Sequence, residues 1–432
     1  MEQVAKLLKD FDLGAALVRL WVMAGDSQRL NDWEHDYDAA TNDVFMRDFQ
    51  EKINHNNTLS IAAMNTNAIA LIRAIDILLA SNSARSRLLR SYKIEENHYW
   101  LFRQLADWRA KTATRGQPGS LLAWFSHHTI IPAQTTDKKI DIKLYQCEGD
   151  TAEFLMRMLK NPTAGIKIWI GHFADGADVQ WDKPHPIQEN CRTTEVTDAK
   201  IRVDSLLKQL VRAKNAGANF IVFPEFSLDI AQRKEVKLWL RNNECPHLLY
   251  VVPGSFHELQ AGTMPEKYFN TAPLFDAEGN VVFTHQKLRL FGKNRVAENV
   301  SVGRTLHVLA TPIGCLTVLI CKDFMDKDAS VASLLQHVLV DWVLVPSFGD
   351  ESTIKGHQVR ARELAKIVSG TNSAVANTRN TAMNPSGDNL PGFGHRSQEG
   401  NPTPVPETGC IVEFLLPHCP PSTSKHKKNP YH

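Results

Sequence analysis

The chain has 432 residues, of which 43% are hydrophobic and 22% charged, and its net charge is +2. This is an ordinary globular composition, long enough for one large domain and a smaller one, and it gives no global electrostatic pull toward nucleic acid or an anionic membrane. The cysteines at 147, 191, 245, 315, 321, 410 and 419 are odd in number and lack close paired spacing, which argues against a disulfide framework and against a zinc ribbon built on Cys410, His418 and Cys419.

The opening residues 1–6 are amphipathic, without the apolar core of a secretory signal. No stretch approaches the roughly 18 uncharged apolar residues of a spanning helix. The expectation is a cytoplasmic protein with no membrane association. Over residues 4–22 the apolar positions Val4, Leu7, Leu8, Phe11, Ala15, Leu17, Val18 and Trp21 recur mostly every three or four residues, with an interruption near Gly14. One or two helices follow from that period. Residues 59–79 repeat the pattern, and so do 95–111, with Tyr99, Leu101, Phe102, Leu105 and Trp108. No alternating strand pattern is evident, so residues 1–135 are expected to form a mostly helical accessory domain. Within it, Arg85, Arg87, Arg90 and Lys93 cluster beside Tyr92, Tyr99 and Trp100. A solvated helix end is the default reading of such a cluster, and a surface for single-stranded nucleic acid is its rival.

Gly116-Gln117-Pro118-Gly119 breaks the helical pattern, and the polar run at 134–139 reads as a turn. Residues 136–164 are therefore a linker and lead-in, with a short edge strand at 140–144 and a helix at 151–159. From 165 onward apolar strands alternate with helices: a strand at 166–170, a helix at 198–216 closed by Gly217, a strand at 220–223, a helix at 230–242, and strands at 248–253 and 280–283. Such units imply a sheet covered by helices on at least one face. A last strand is expected at 409–416. The turn-rich stretch 384–392 reads as a loop able to cover a pocket, and 417–432 as a polar, basic tail.

Three of these strands end by presenting a reactive side chain. Residues 218–226 end in Pro224-Glu225, Lys287 follows the strand at 280–283, and the apolar run Val318-Leu319-Ile320 delivers Cys321. A carboxylate near a thiol can draw off its proton as sulfur attacks and can later activate water. An ammonium favours the thiolate and, with a backbone N–H just after the nucleophile, stabilises the oxyanion that forms on the attacked carbon. Glu225, Lys287 and the amide of Lys322 suit those roles. His257, His285 and His307 offer a rival cysteine–histidine dyad, but none sits in a local protease signature.

Glu, Lys and Cys in this chain order resemble the triad of the nitrilase, or carbon-nitrogen hydrolase, superfamily. The resemblance covers about 165–415. It includes the opening strand Ile166-Lys167-Ile168-Trp169-Ile170, the hairpin from Tyr268 to Gly279, Asp341-Trp342-Val343-Leu344-Val345-Pro346-Ser347, and Gln358-Val359-Arg360-Ala361-Arg362 followed by Ser373-Ala374-Val375-Ala376-Asn377. It implies an αββα sandwich, a role for Glu298 as a second glutamate that orients the lysine and the substrate, no metal or organic cofactor, and assembly into a homo-oligomer. One departure is Lys322, which stands where the resembling proteins usually carry an aromatic or acidic residue.

Two functions follow. The first is hydrolysis of a small-molecule amide, or less favourably a nitrile, through a Cys321 thioester. The second is an assembly or effector module whose N-terminal region binds a protein or nucleic-acid partner.

Overall fold

The computed structural model describes residues 1–25, 27–35, 39–81, 89–103, 125, 127–135, 139–161, 163–173, 178–182, 191–262, 264–293, 296–325, 335, 340–366, 370–378, 392–396, 402–404 and 409–416. Among these residues two seven-stranded sheets stack face to face. In the first, the strands run Phe256–Leu259, Tyr268–Asp276, Tyr250–Val252, Phe220–Val222, Gly165–Ile170 and Cys410–Leu415, with Val281–Gln286 also paired to Tyr268–Asp276. In the second they run Thr403–Pro404, Gly392–His395, Asn372–Thr378, Trp342–Phe348, Gly314–Val318, Thr305–Thr311 and Asp141–Gln146. The short edge strand expected at 140–144 is thus the outermost strand of the second sheet, parallel to Thr305–Thr311.

Strand alternation explains why the sheets stack. Ile166, Ile168, Ile170, Phe220, Val222 and Val252 meet Leu316, Val318, Trp342, Leu344 and Ala374 in one core between the sheets. The intervening residues Trp169, Ile221 and Val251 face outward, onto Leu206, Leu210, Val236 and Leu240 of the helices Ala199–Asn215 and Ile230–Asn242. On the outer face of the second sheet, Val308, Ala310, Val343, Val345 and Val375 pack with Ile354, Ala361 and Leu364 of the helix Glu351–Lys366. A strand buried on both faces reads as a continuous apolar run, which is how these strands appear in the sequence. The result is the αββα sandwich expected above.

The N-terminal region has its own core, gathered around Ala68–Ser81, whose residues Ile69, Leu71, Ile72 and Ile75 are almost wholly buried. The helices Glu2–Lys9 and Leu13–Ala24 fall where the period placed them, and the break precedes Leu13 because Asp12 caps the second helix through the Ala15 N–H. The helix expected over 95–111 is a correction. Leu89–Ile94 and Asn97–Arg103 are strands that form an antiparallel three-stranded sheet with His128–Pro132; residues 104–111 lie outside the described residues. The cause is a strand with an apolar partner on each side. Tyr99 and Leu101 enter the helical core, whereas Trp100 and Phe102 turn toward the core on the outer face of the second sheet. Four consecutive apolar residues then fit a helical period as well as a strand.

Of the basic cluster, Arg90 and Lys93 lie exposed on Leu89–Ile94. Arg85 and Arg87, the loop at 384–391 and the tail at 417–432 lie outside the described residues. Tyr99 is committed to packing, edge-on against Trp21 at 5.9 Å between ring centroids. Among the described residues no helix is long and apolar enough to cross a membrane.

Candidate active site

The end of Gly314–Val318 carries straight on to an elbow. Cys321 has φ +43 and is followed at once by the short helix Lys322–Met325. A left-handed backbone at a non-glycine residue costs on the order of 1–3 kcal/mol and persists only where the surroundings hold it. Here the Cys321 N–H donates to the Pro346 carbonyl at 2.9 Å. The fully buried Asp323 clamps the rest. One of its oxygens accepts from the N–H groups of Leu288 and Arg289 at 2.9 and 2.6 Å. The other accepts from the Ile320 N–H at 3.2 Å and from His285 Nε2 at 3.0 Å. One carboxylate thereby ties the segment just after Lys287 to the turn that presents the sulfur.

Glu225 lies just past Phe220–Val222, at the edge of the first sheet, but its backbone is fastened to the second. Its N–H donates to the Ser347 carbonyl at 3.2 Å, and its carbonyl accepts from the Thr378 hydroxyl. Since Ser347 and Phe348 pair in register with Asn377 and Thr378, the ends of two neighbouring strands grip the acid together. Beside it, Gly254 has φ +83, and a Cβ there would come within 2.2 Å of the Pro224 carbonyl oxygen. Only glycine lets the chain pass so close to the loop that carries the acid.

Lys287 lies between two carboxylates. Its Nζ is 3.0 Å from Glu225 Oε1 and 2.8 Å from Glu298 Oε2, and all three side chains are buried. The Asn270 amide donates to Oε1 of both glutamates, at 2.8 Å to Glu225 and 3.0 Å to Glu298. Glu298 has two further donors: the Phe291 N–H at 2.7 Å and His257 Nε2 at 3.2 Å. Because the Thr193 N–H donates to His257 Nδ1 at 2.9 Å, the single proton of the neutral imidazole is on Nε2, where it meets Glu298. Burial holds His257 below its ordinary value against the pull of Glu298, which keeps the ring neutral.

The two glutamates are therefore unequal. Burial raises both, but Lys287, then His257, outweigh it at Glu298 and hold that carboxyl below its ordinary value. At Glu225 burial prevails over Lys287, with the Glu298 charge adding to it, and the carboxyl is raised. Of the pair, Glu225 takes the proton. Lys287 is the converse case: burial disfavours its charge, but the two carboxylates more than offset this and raise it well above an ordinary lysine.

The charges of Glu225 and Lys287 reach the thiol. Burial first and the Glu225 charge second push Cys321 up to about 12, against the pull of Lys287. At neutral pH it is a thiol, with its S–H directed at the Phe348 carbonyl at 3.7 Å and its sulfur accepting from the Ser347 hydroxyl at 3.6 Å. The arrangement is suited to removing the proton during attack rather than storing a thiolate.

Glu225, Lys287 and Glu298 thus come together in one buried cluster, and the charges of Glu225 and Lys287 act on Cys321. Lys322 begins the helix after the elbow with its side chain half-buried. The three histidines of the rival dyad are engaged elsewhere: His257 with Glu298, His285 with Asp323, and His307 with the Tyr145 hydroxyl at 3.1 Å. Reasoning from the sequence missed Asn270, Asp323, Ser347 and His357. For Asn270 a signal was available in the sequence, since it lies in the hairpin stretch that leads to Lys287; in the structure its carbonyl accepts the Lys287 N–H at 2.8 Å. Among the described residues no cluster of three or more metal-binding side chains occurs.

The family described as carbon-nitrogen hydrolase matches residues 187–338. Among solved structures, the chain is similar to Saccharomyces cerevisiae Nit3, a member of branch 10 of the nitrilase superfamily, with 16% identity over 60% of this chain and 92% of that one and a TM-score of 0.44. It is also similar to an amidase from Nesterenkonia sp., with 19% identity over 60% of this chain and 92% of that one and a TM-score of 0.42. No curated protein matches.

Proposed function

We propose, from the match of residues 187–338 to the carbon-nitrogen hydrolase family, that the chain cleaves a non-peptide carbon–nitrogen bond, amide in preference to nitrile, through a thioester on Cys321. The observation that carries this reading is the buried Glu225–Lys287 pair, 3.0 Å apart, whose charges act on a thiol held on a strained elbow.

On an amide, the sulfur bonds to the carbonyl carbon as Glu225 takes the thiol proton. The carbonyl oxygen becomes an oxyanion facing Lys287 Nζ and the Lys322 N–H. Glu225 returns its proton to the nitrogen, the carbon–nitrogen bond breaks, and ammonia or an amine departs. Glu225 then takes a proton from water as the water oxygen attacks the thioester. The carbon–sulfur bond breaks, the acid is released, and the proton returns to sulfur. Glu298 stays ionised throughout and holds Lys287 in place. The preference for amides rests on analogy with the family.

The direct test is a panel of small amides and nitriles with ammonia detection, coupled to intact-mass and peptide mapping of an acyl group trapped on Cys321. Ammonia release with the acyl group on another residue, or no turnover across the panel, rejects the reading.

The pH profile is a second test. Activity needs Glu225 ionised, and burial with the Glu298 charge raises that carboxyl above the ordinary glutamate value of 4.5. The acid limb of kcat/KM is therefore expected above that value. Activity then persists into alkali, because Lys287 keeps its proton well beyond an ordinary lysine. In Glu298→Gln a charge that raises Glu225 is gone, so the limb moves to lower pH. A limb that stays in place or moves upward would remove Glu225 from the role of base.

A further inference from the structure

We propose that Ser347 and His357 form a hydrogen-bond relay that positions the Cys321 sulfur and gives it a donor whenever it carries negative charge. This rests on reading Cys321 as the nucleophile and adds two positioning residues to it.

Three consecutive residues at the end of Trp342–Phe348 serve the site. The Pro346 carbonyl accepts the Cys321 N–H, the Ser347 carbonyl accepts the Glu225 N–H, and the Phe348 carbonyl accepts the thiol proton. The Ser347 side chain is left over from this set. Its hydroxyl is 3.6 Å from Cys321 Sγ on one side and 2.9 Å from His357 Nε2 on the other. Both residues are fully buried, so neither is there to meet solvent. His357 projects from the helix Glu351–Lys366, with its ring stacked on Phe324 at 5.8 Å between centroids.

The direction of the relay follows from what is unpaired. His357 Nδ1 is buried and has no hydrogen-bond partner among the described residues. Placing the ring proton on Nδ1 would strand a buried N–H, whereas placing it on Nε2 strands only a lone pair, the less costly arrangement. Nε2–H therefore donates to Ser347 Oγ. The serine proton, barred from His357, is free to point at sulfur. Burial, with the Lys287 charge adding to it, holds the imidazole down to about 3, so the ring remains a neutral donor across the working range. The titratable groups whose charges act on the thiol are Glu225 and Lys287, and on His357 it is Lys287.

In the reaction the relay keeps its own protons. The thiol proton goes to Glu225 as the carbon–sulfur bond forms, and the Ser347 hydroxyl bonds the sulfur while charge is present. The same donor serves again when the carbon–sulfur bond breaks and sulfur leaves as an anion. A hydrogen bond to a charged sulfur shifts the ionised fraction by about tenfold. The contribution of His357 is indirect, through fixing the hydroxyl rotor.

The experiment needs no substrate. The full chain is treated with iodoacetamide across pH, and Cys321 alkylation is followed by site-resolved mass spectrometry. In Ser347→Ala the rate at pH 7.5 is expected to fall about tenfold, with the pH midpoint moved upward. His357→Leu should show a similar loss, and His357→Gln, which keeps an N–H near the Nε2 position, should recover most of it. The double variant Ser347→Ala/His357→Leu should match Ser347→Ala alone. Alanine is smaller than serine and leucine is close to histidine in volume, and unchanged thermal midpoints check that the fold is kept. Wild-type rate and midpoint in Ser347→Ala overturn the relay, as does a double variant whose losses multiply. A chain that hydrolyses neither amide nor nitrile yet shows this alkylation pattern refutes the proposed function and leaves the relay standing.

Discussion

Cys321→Ala is expected to lose at least about 10³-fold in turnover of any amide the wild-type chain cleaves, and to show no acyl adduct by intact mass where wild type traps one. The variant is informative because little else depends on the sulfur. The elbow is held by the Cys321 N–H on Pro346 and by the four bonds to Asp323. None of these uses the side chain, and alanine meets the same backbone strain that cysteine does. A folded but inactive variant therefore reports chemistry. Retained activity would reject the assignment. A variant that lost turnover yet kept the cellular role of the chain would favour the second reading, in which the same domain is an assembly or effector module and the helical region engages a partner.

Lys287→Met is expected to cost both activity and about 3–5 kcal/mol of stability at neutral pH. Methionine follows the lysine side chain as far as Cε and lacks only the ammonium, so packing is nearly kept. What remains is Glu225 and Glu298 buried together, beside the neutral donors Asn270, His257 and the Phe291 N–H. With the cation gone, burial and mutual repulsion raise both carboxyls. The folded chain then binds protons more tightly than the unfolded one, so the deficit shrinks as pH falls through the folded-state values and is largest above them. Urea denaturation at neutral and mildly acidic pH measures this. Glu225→Gln/Lys287→Met/Glu298→Gln, which neutralises all three groups, should regain much of the loss. A Lys287→Met chain as stable as wild type with the same pH response would mean that the cluster is not held ionised by its lysine.

The main elements of the site were legible because each lies where an apolar strand stops. Glu225 and Lys287 follow buried runs with the opposite polarity, and Cys321 closes one just before the charged Lys322-Asp323, a contrast that survives in one dimension. Glu298 followed from the family pattern. Asn270, Asp323, Ser347 and His357 did not, because their roles depend on which strand ends lie side by side. Asp323 reads as one more charged residue after the nucleophile until the amides of Leu288 and Arg289 arrive from a segment more than thirty positions earlier. His357 looks like any helical histidine until the strand end that carries Ser347 is set against the helix Glu351–Lys366. In the N-terminal region the pattern itself misled. Residues 99–102 are apolar without interruption because each side of the strand has something to bury.

That strand is a party wall. Tyr99 and Leu101 belong to one room and Trp100 and Phe102 to the other, so the N-terminal helices cannot be lifted away without stripping plaster from the second seven-stranded sheet behind them. The far room also holds Val308 of Thr305–Thr311 and Val343 and Val345 of Trp342–Phe348, and the second of these strands ends in the three carbonyls that hold Glu225 and Cys321.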